Sequence, residues 1–272
     1  MNKDYFEYQD KVEGMPENAF RISASQLSRF FDETSKWYHE MLLGEEGFAG
    51  STASELGNVV HAAAAMYAET KDVDREALSR YILSLAGKQD VETDVIREQY
   101  TPMIEALINQ YLSRNVPTHC EEFIWNEVLP GIVVGGSCDA YDATTGTIID
   151  YKTTSSKTPP KSFYRPYWFQ LMTYAWVYKQ MGRPVNKLKL VYVTRNETGR
   201  ISEVTGKPMK DYPSSVYTLE HKVTSEDLDI INGCIQVIAH SVQAWNEQPE
   251  LRHLLAQDWR LFEKPKPKLF KD

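Results

Sequence analysis

The feature that most constrains the fold is a change of pattern near residue 116. Before it, apolar residues recur at helical spacing; after it, short runs rich in Val, Ile, Tyr and Phe alternate with turn signals. In "SASQLSRFFDETSKWYHEMLLG", Leu27, Phe30 and Phe31 share a helical face, Ser23 or Ser25 offers an N-cap, and Gly44 a stop. "STASELGNVVHAAAAMYAET" predicts a second helix burying Val59, Val60, Ala63, Ala64 and Tyr67, and two more follow over residues 74–86 and 92–114. No strand is expected in this block. Then "EEFIWNEVL" and "IVVGGSCDAYD" read as strands joined at Pro130-Gly131, and "GTIIDYKTT" follows the turn at Thr144-Thr145-Gly146. The remainder predicts a helix in "SFYRPYWFQLMTYAWVYKQMG", strands in "KLKLVYVTR" and "SVYTLEHKV", and a closing helix with a capping box at Thr224 and Asp227.

Helices, then a meander, then helix–strand–strand–helix imply an α/β fold with a central mixed sheet and an N-terminal helical part folded over it. The expected organisation is a polar leader over 1–22, one domain over 23–262 (helical part 23–115, sheet core and closing helices 116–246) and a basic flexible tail over 263–272. The chain has 272 residues and a 42% hydrophobic content, ample for a core. No run approaches ~20 apolar residues, so no transmembrane helix is expected. The start lacks the apolar region of a signal peptide. Cys120, Cys138 and Cys234 are scattered and lack C-x-x-C spacing, which fits a reduced, cytoplasmic chain without a disulfide framework. The net charge of −8 argues against a surface coated for nonspecific nucleic-acid binding. It leaves room for an enzyme that holds metal with carboxylates and grips DNA through a local basic groove.

Asp150 and Lys152 stand at i and i+2 in the last strand of the meander, so they share a face while Tyr151 turns the other way. The simplest reading is a strand-end ion pair. Asp139, near the end of the preceding strand, adds a second one. If the two strands are antiparallel neighbours, Asp139 and Asp150 reach one divalent ion. Hard Mg²⁺ prefers oxygen ligands, typically a few carboxylates plus water and a phosphate oxygen. A lysine beside such a pair steadies the attacking water or neutralises charge on the phosphate. On these three residues alone, the structural and the catalytic readings stand level.

The succession G-x-x-D (Gly136 to Asp139), hairpin, "IIDYKT" resembles the PD-(D/E)XK nuclease superfamily. Two further elements resemble its RecB-like exonuclease branch: Q-x-x-x-Y in "QLMTY" (Gln170, Tyr174), which puts both side chains on one helix face, and G-x-x-x-H in "GNVVH" (Gly57, His61). The resemblance spans residues ~23 to 195. It implies a restriction-endonuclease-like core that hydrolyses DNA with Mg²⁺ or Mn²⁺. It makes Asp139 and Asp150 metal ligands, the Tyr151 carbonyl a third and His61 an additional one, a nitrogen ligand that suits manganese. Lys152 becomes the catalytic lysine, and Gln170 and Tyr174 support the site or contact DNA. A glutamate from the preceding strand often joins such sites; Glu121, Glu122 and Glu127 all remain open. Two departures stand out. The Cys-Pro and C-terminal cysteines of iron–sulfur members are missing, so no cluster is expected. No P-loop is present, so no nucleotide cofactor is expected and helicase function would belong to a separate protein.

After the catalytic strand, "KTTSSKTPPKSFYRPYW" interleaves Lys157, Lys161 and Arg165 with Tyr164, Tyr167 and Trp168. Such residues contact phosphates and stack on bases, or form a solvated loop whose aromatics enter the core. The C-terminal "KPKPKLFK" is a second basic candidate or only a tail. The expected function is a DNA exonuclease processing single- or double-stranded ends in recombination, replication or repair, in a bacterium or a phage-infected cell. A separate helicase, recombinase or single-strand-binding protein would be its protein partner. The alternatives are a structure-selective endonuclease and a non-catalytic DNA-binding or scaffold subunit.

Overall fold

The first ordered strand is one that the sequence pattern does not announce. In the computed structural model, which describes residues 5–6, 12, 14–45, 50–202 and 204–254, β1 (Phe20–Ser23) straddles the end of the expected polar leader and the start of the helical part, where no strand was expected. Four residues are too few for a periodicity, and the strand exists because it pairs in parallel with a distant segment, Phe20 opposite Ile132 through Ser23 opposite Gly135. The long helix expected from Ser23 onward is instead a 3-10 turn (Ala24–Gln26), α1 (Leu27–Asp32) and α2 (Thr34–Met41). Glu33 breaks it at φ −144° and ψ 58°. Neither Ser23 nor Ser25 caps it: Ser23 ends β1, and the two hydroxyls lie 3.2 Å apart.

Helices α3 (Thr52–Thr70), α4 (Arg75–Ser84) and α5 (Thr93–Leu107) follow as the apolar spacing predicts. A capping box at Ser51 and Ser54 starts α3, and α5 runs on into a π turn, Ile108–Leu112. Then come β2 (His119–Leu129), β3 (Ile132–Asp142), β4 (Thr147–Thr154), α6 (Arg165–Gln180), β5 (Lys187–Thr194), β6 (Val216–Lys222) and α7 (Ser225–Glu247). The capping box at Thr224 and Asp227 opens α7. No helix of the described residues is long and apolar enough to cross a membrane. The three cysteines are free thiols.

Register places the site. β2 pairs antiparallel along nearly all of β3 and occupies one edge of it. The other edge is shared: β1 pairs with residues 132–135 and β4 with residues 140–142. Gly136 to Asp139 therefore face an opening where no strand of the described residues pairs on that edge. β4 and β5 pair in parallel, and β6 closes the sheet antiparallel to β5. Helices cover both faces. α1, α2, α6 and α7 bury Leu27, Trp37, Leu171, Tyr178 and Ile235 against one, with Ile148 of β4 among them. α3, α4 and α5 bury Leu56, Val60, Leu78 and Met103 against the other, with Ile149 and Tyr151 of β4. Asp150 and Lys152 thus start from the Ile148 face, and their neighbours from the opposite one.

Candidate active site

Ala140 opposite Ile149 is where the β3–β4 ladder stops. One step further, Asp139 and Asp150 would face each other across diverging strands. The Asp139 carboxylate fills the gap, accepting the Tyr151 amide at 2.9 Å through Oδ2. Both acids are buried, with Asp150 only 2% exposed.

From the other face α3 brings His61 into the opening. Its Nε2 lies 2.5 Å from the Tyr151 carbonyl oxygen and its Nδ1 3.3 Å from Asp139 Oδ2. Both ring nitrogens therefore face acceptors, although a neutral imidazole has only one N–H to give. Gly57 sits one turn earlier on α3. A Cβ there would stand 3.9 Å from Thr153 Oγ1, an ordinary contact, so lack of space is not what calls for glycine.

β2 supplies the glutamate that sequence alone left open. Cys120 pairs with Ala140 and Glu122 with Cys138, so Glu121 stands opposite Asp139. His61, Glu121 and Asp139 each offer one ligand atom, and these lie within 4.8 Å of one another. Glu121 has φ +48°, a left-handed backbone in mid-strand that costs about 1–3 kcal/mol and re-aims the side chain. The other two candidates are employed elsewhere. Glu122 takes Arg183 at 2.7 and 2.8 Å and the Tyr178 hydroxyl at 3.1 Å. Glu127 accepts the Gly131 amide at 2.9 Å, closing the β2–β3 turn.

Asp150 lies beside this trio but outside it. Lys152 Nζ donates to Asp150 Oδ1 at 3.0 Å, stands 2.8 Å from Oδ2, which accepts no hydrogen bond among the described residues, and sits 4.6 Å from the Tyr167 ring centre. The ion pair suggested by D-x-K is real. Burial pushes the Asp150 carboxyl up to about 6, against the pull of Lys152 and with the help of Asp139's like charge. Burial also disfavours the Lys152 ammonium, but Asp150 and Asp139 outweigh it and hold the lysine protonated.

α6 closes the opening on the Ile148 face. The Tyr174 hydroxyl donates to the Ser137 carbonyl at 2.6 Å, and Gln170 stands one turn earlier on α6. Gly136 lies beneath them: a Cβ there would make ordinary contacts, 3.5 Å from the Tyr174 hydroxyl and 3.9 Å from Arg21 Nη1. Arg21 reaches this place from β1, over the Phe123 ring at 5.5 Å. No sequence signal pointed to Arg21, since its strand was not expected.

The basic loop is less available than its sequence suggests. Lys157 donates to the Arg195 carbonyl at 2.7 Å and pairs with Glu197 at 3.4 Å. Arg165 is ion-paired with Asp32. Lys161 is exposed. Tyr167 and Trp168 pack against the core, whereas Tyr164 is 62% exposed. The basic C-terminal run lies outside the described residues.

No curated protein matches the sequence. Among solved structures, a candidate exonuclease of Eubacterium rectale is similar at a TM-score of 0.55 and 16% identity, over 87% of this chain and 86% of that one. A phage-related exonuclease of Haemophilus somnus 129PT is similar at 0.42 and 14%, over 82% and 97%. The alkaline exonuclease LHK-Exo of Laribacter hongkongensis is similar at 0.40 and 11%, over 87% and 95%. The first of these shares the fold, a mixed sheet between helices of the restriction-endonuclease type. Residues 21–256 match the PD-(D/E)XK nuclease superfamily, a span that takes in His61, Glu121, Asp139, Asp150 and Lys152, and the chain belongs to that superfamily.

Proposed function

We propose that this chain is a divalent-metal-dependent deoxyribonuclease acting on DNA ends, with Mg²⁺ or Mn²⁺ as its ion. The observation that carries the reading is the convergence of His61, Glu121, Asp139 and the Tyr151 carbonyl where β3 and β4 part, beside Lys152. These groups fit a cation. Two carboxylates, a carbonyl and an imidazole meet here, and the one N–H of a neutral imidazole cannot serve both the Asp139 carboxylate and the Tyr151 carbonyl that it faces. Oxygen ligands suit Mg²⁺, and the single nitrogen admits Mn²⁺. A bound ion supplies Lewis acidity to a phosphate oxygen and makes a water acidic enough to attack at neutral pH.

The remaining residues have separate tasks. Asp139 holds the Tyr151 amide through one oxygen, which fixes the carbonyl and the strand end together. Lys152 rests on Asp150 and keeps its proton; an incoming phosphate competes for that ammonium and receives its charge as negative charge develops on the phosphoryl oxygens. Tyr167 beneath it limits where the ammonium can swing. Tyr174 holds the uncovered β3 segment in place, with Gln170 one turn earlier on the same helix. Lys161 and Tyr164, exposed beyond the catalytic strand, are offered as contacts to the strand being cut.

Action at ends, in recombination, replication or repair alongside a separate recombinase or single-strand-binding protein, rests on the resemblance to RecB-like exonucleases. The test compares linear DNA labelled at the 5′ or the 3′ end with covalently closed circles, under Mg²⁺ and Mn²⁺. Loss of label from linear DNA with intact circles supports the proposal. Nicking or linearisation of the circles replaces it with an endonuclease.

A further inference from the structure

We propose that the opposite end of the same sheet carries a second site, a pocket for a phosphate monoester, on the face away from Asp150 and Lys152. A cavity of about 690 Å³ opens where β3 ends and β4 and β5 begin, under the turn that follows α5. Its wall includes Arg114, Lys187, Lys189 and Lys222, with Tyr111 and Thr145. Thr147 pairs with Lys187 and Ile149 with Lys189, so both lysines lie on the Ile149 face, the face of Tyr111. Lys189 Nζ stands 5.7 Å from the Tyr111 ring centre. Thr147 is three residues before Asp150, roughly 10 Å along the strand. A phosphate in this pocket is not the one being cut; the pocket stands on its own lining, and its assignment to a nucleotide or a DNA end rests on the nuclease reading.

The charges here are arranged against local stability. Lys187 and Lys222 are direct cross-strand partners in the β5–β6 register, an opposition of like charges that destabilises a sheet. One carboxylate answers two of the three lysines: Glu220, opposite Lys189, receives Lys187 at 2.8 Å and Lys189 at 2.9 Å. The other acid at the cavity, Asp142, is already committed to the Thr144 amide and hydroxyl at 3.0 and 2.6 Å and to the Thr145 hydroxyl at 2.6 Å. The lining holds four cations and one carboxylate, Asp142; Glu220 outside it takes Lys187 and Lys189, so Arg114 and Lys222 have no acidic partner among the described residues, in a chain whose net charge is −8. A broken local rule without compensation marks a site that a ligand completes. The missing partner is a dianion with several acceptor oxygens, and a phosphate monoester has both properties. The volume exceeds what phosphate alone needs and lies in the range of small-molecule sites, about 300–1,000 Å³. The monoester therefore belongs to a mononucleotide or to the terminal phosphate of a DNA strand.

The experiment titrates the full chain, in chelator so that the metal centre stays empty, with three probes: a deoxynucleoside 5′-monophosphate, a short oligonucleotide with a 5′-phosphate, and the same oligonucleotide without it. Wild type and the variants Lys222→Gln and Lys187→Gln/Lys222→Gln are compared, with Lys179→Gln, an exposed lysine of α6, as a control. The expected result is saturable binding of a phosphorylated probe, weakened at least about tenfold in the double variant and unchanged by Lys179→Gln. Without ligand, both glutamine variants unfold at or above the wild-type temperature because a like-charge pair is gone; the monophosphate raises that temperature in wild type and not in the double variant. Binding of the mononucleotide assigns a free nucleotide, and binding of the phosphorylated oligonucleotide alone assigns a DNA end. Absence of saturable binding by wild type, equal binding by the double variant, or equally tight binding of the oligonucleotides with and without the 5′-phosphate would each overturn the proposal.

Discussion

The two ends of β4 make opposite demands. At the Asp150 end Asp139 and Asp150 are buried, and half-buried His61 and Glu121 join Asp139 in a set whose ligand atoms could hold a cation. At the Thr147 end the groups are lysines reaching solvent, with Lys187 41% exposed, and they want an anion. Burial accounts for the contrast. In a low-dielectric setting an unanswered charge is costly, so the buried end is fixed by strain, a re-aimed Glu121 and a lysine locked on Asp150. At the exposed end, water answers the surplus charge and the arrangement costs little until a ligand arrives. A third centre supplies the control. Glu55 on α3 is as buried as the catalytic acids, but its neighbours are donors: Tyr81 at 2.6 Å, Asn58 at 3.0 Å and Lys88 at 3.2 Å.

The largest expected effects fall on the buried end. Lys152→Ala and Asp139→Asn each lower the cleavage rate by on the order of 10³-fold, read in single-turnover assays, while circular dichroism shows the fold retained. Next comes the choice of glutamate. Glu121→Gln weakens Mn²⁺ binding by at least about tenfold in a calorimetric titration, because the ion loses a ligand charge. Glu122→Gln leaves the ion's affinity unchanged and instead costs about 1 kcal/mol of stability, since its partner Arg183 is partly exposed. Exchange of those two outcomes would break the assignment. Tyr174→Phe removes the bond to the Ser137 carbonyl and lowers stability by about 1 kcal/mol, seen as an earlier urea midpoint.

The smallest effect concerns pH and Glu55. Burial raises its carboxyl, but the hydrogen bonds from Tyr81, Lys88 and Asn58 outweigh burial and hold it below its ordinary value. A depressed carboxylate stabilises the fold above its unfolded value, near 4.3, and that contribution disappears as pH falls through the lower folded value. Glu55→Gln therefore flattens the acid limb of the stability curve and leaves the shape of the curve above about pH 6 unchanged. Urea midpoints measured across that range decide it.

Much of this architecture was legible because long elements carry strong patterns. Helices α3 to α7 and strands β2 to β6 follow apolar spacing and the turns at Pro130-Gly131 and Gly146. What was not legible depends on distant partners. "FRIS" becomes a strand only because β3 receives it. Choosing Glu121 over Glu122 needs the β2–β3 register and one left-handed residue. Lys157 reads as a free phosphate contact until the loop after β5 brings Glu197 against it. Lys187, Lys189 and Lys222 look like the outward residues of two ordinary strands; only their pairing gathers them. The candidate residues His61, Asp139, Asp150 and Lys152 were visible in the sequence, and their side chains gather where β3 and β4 part.

The central claim is that this opening hydrolyses DNA with a divalent ion and Lys152. The most direct test incubates end-labelled linear duplex with wild type and Lys152→Ala, with Mg²⁺, with Mn²⁺ and with chelator. The account predicts release of label by wild type under either metal, none in chelator, and a rate on the order of 10³-fold lower for the variant. DNA left intact by wild type under both metals, or cleavage undiminished by Lys152→Ala, would contradict it.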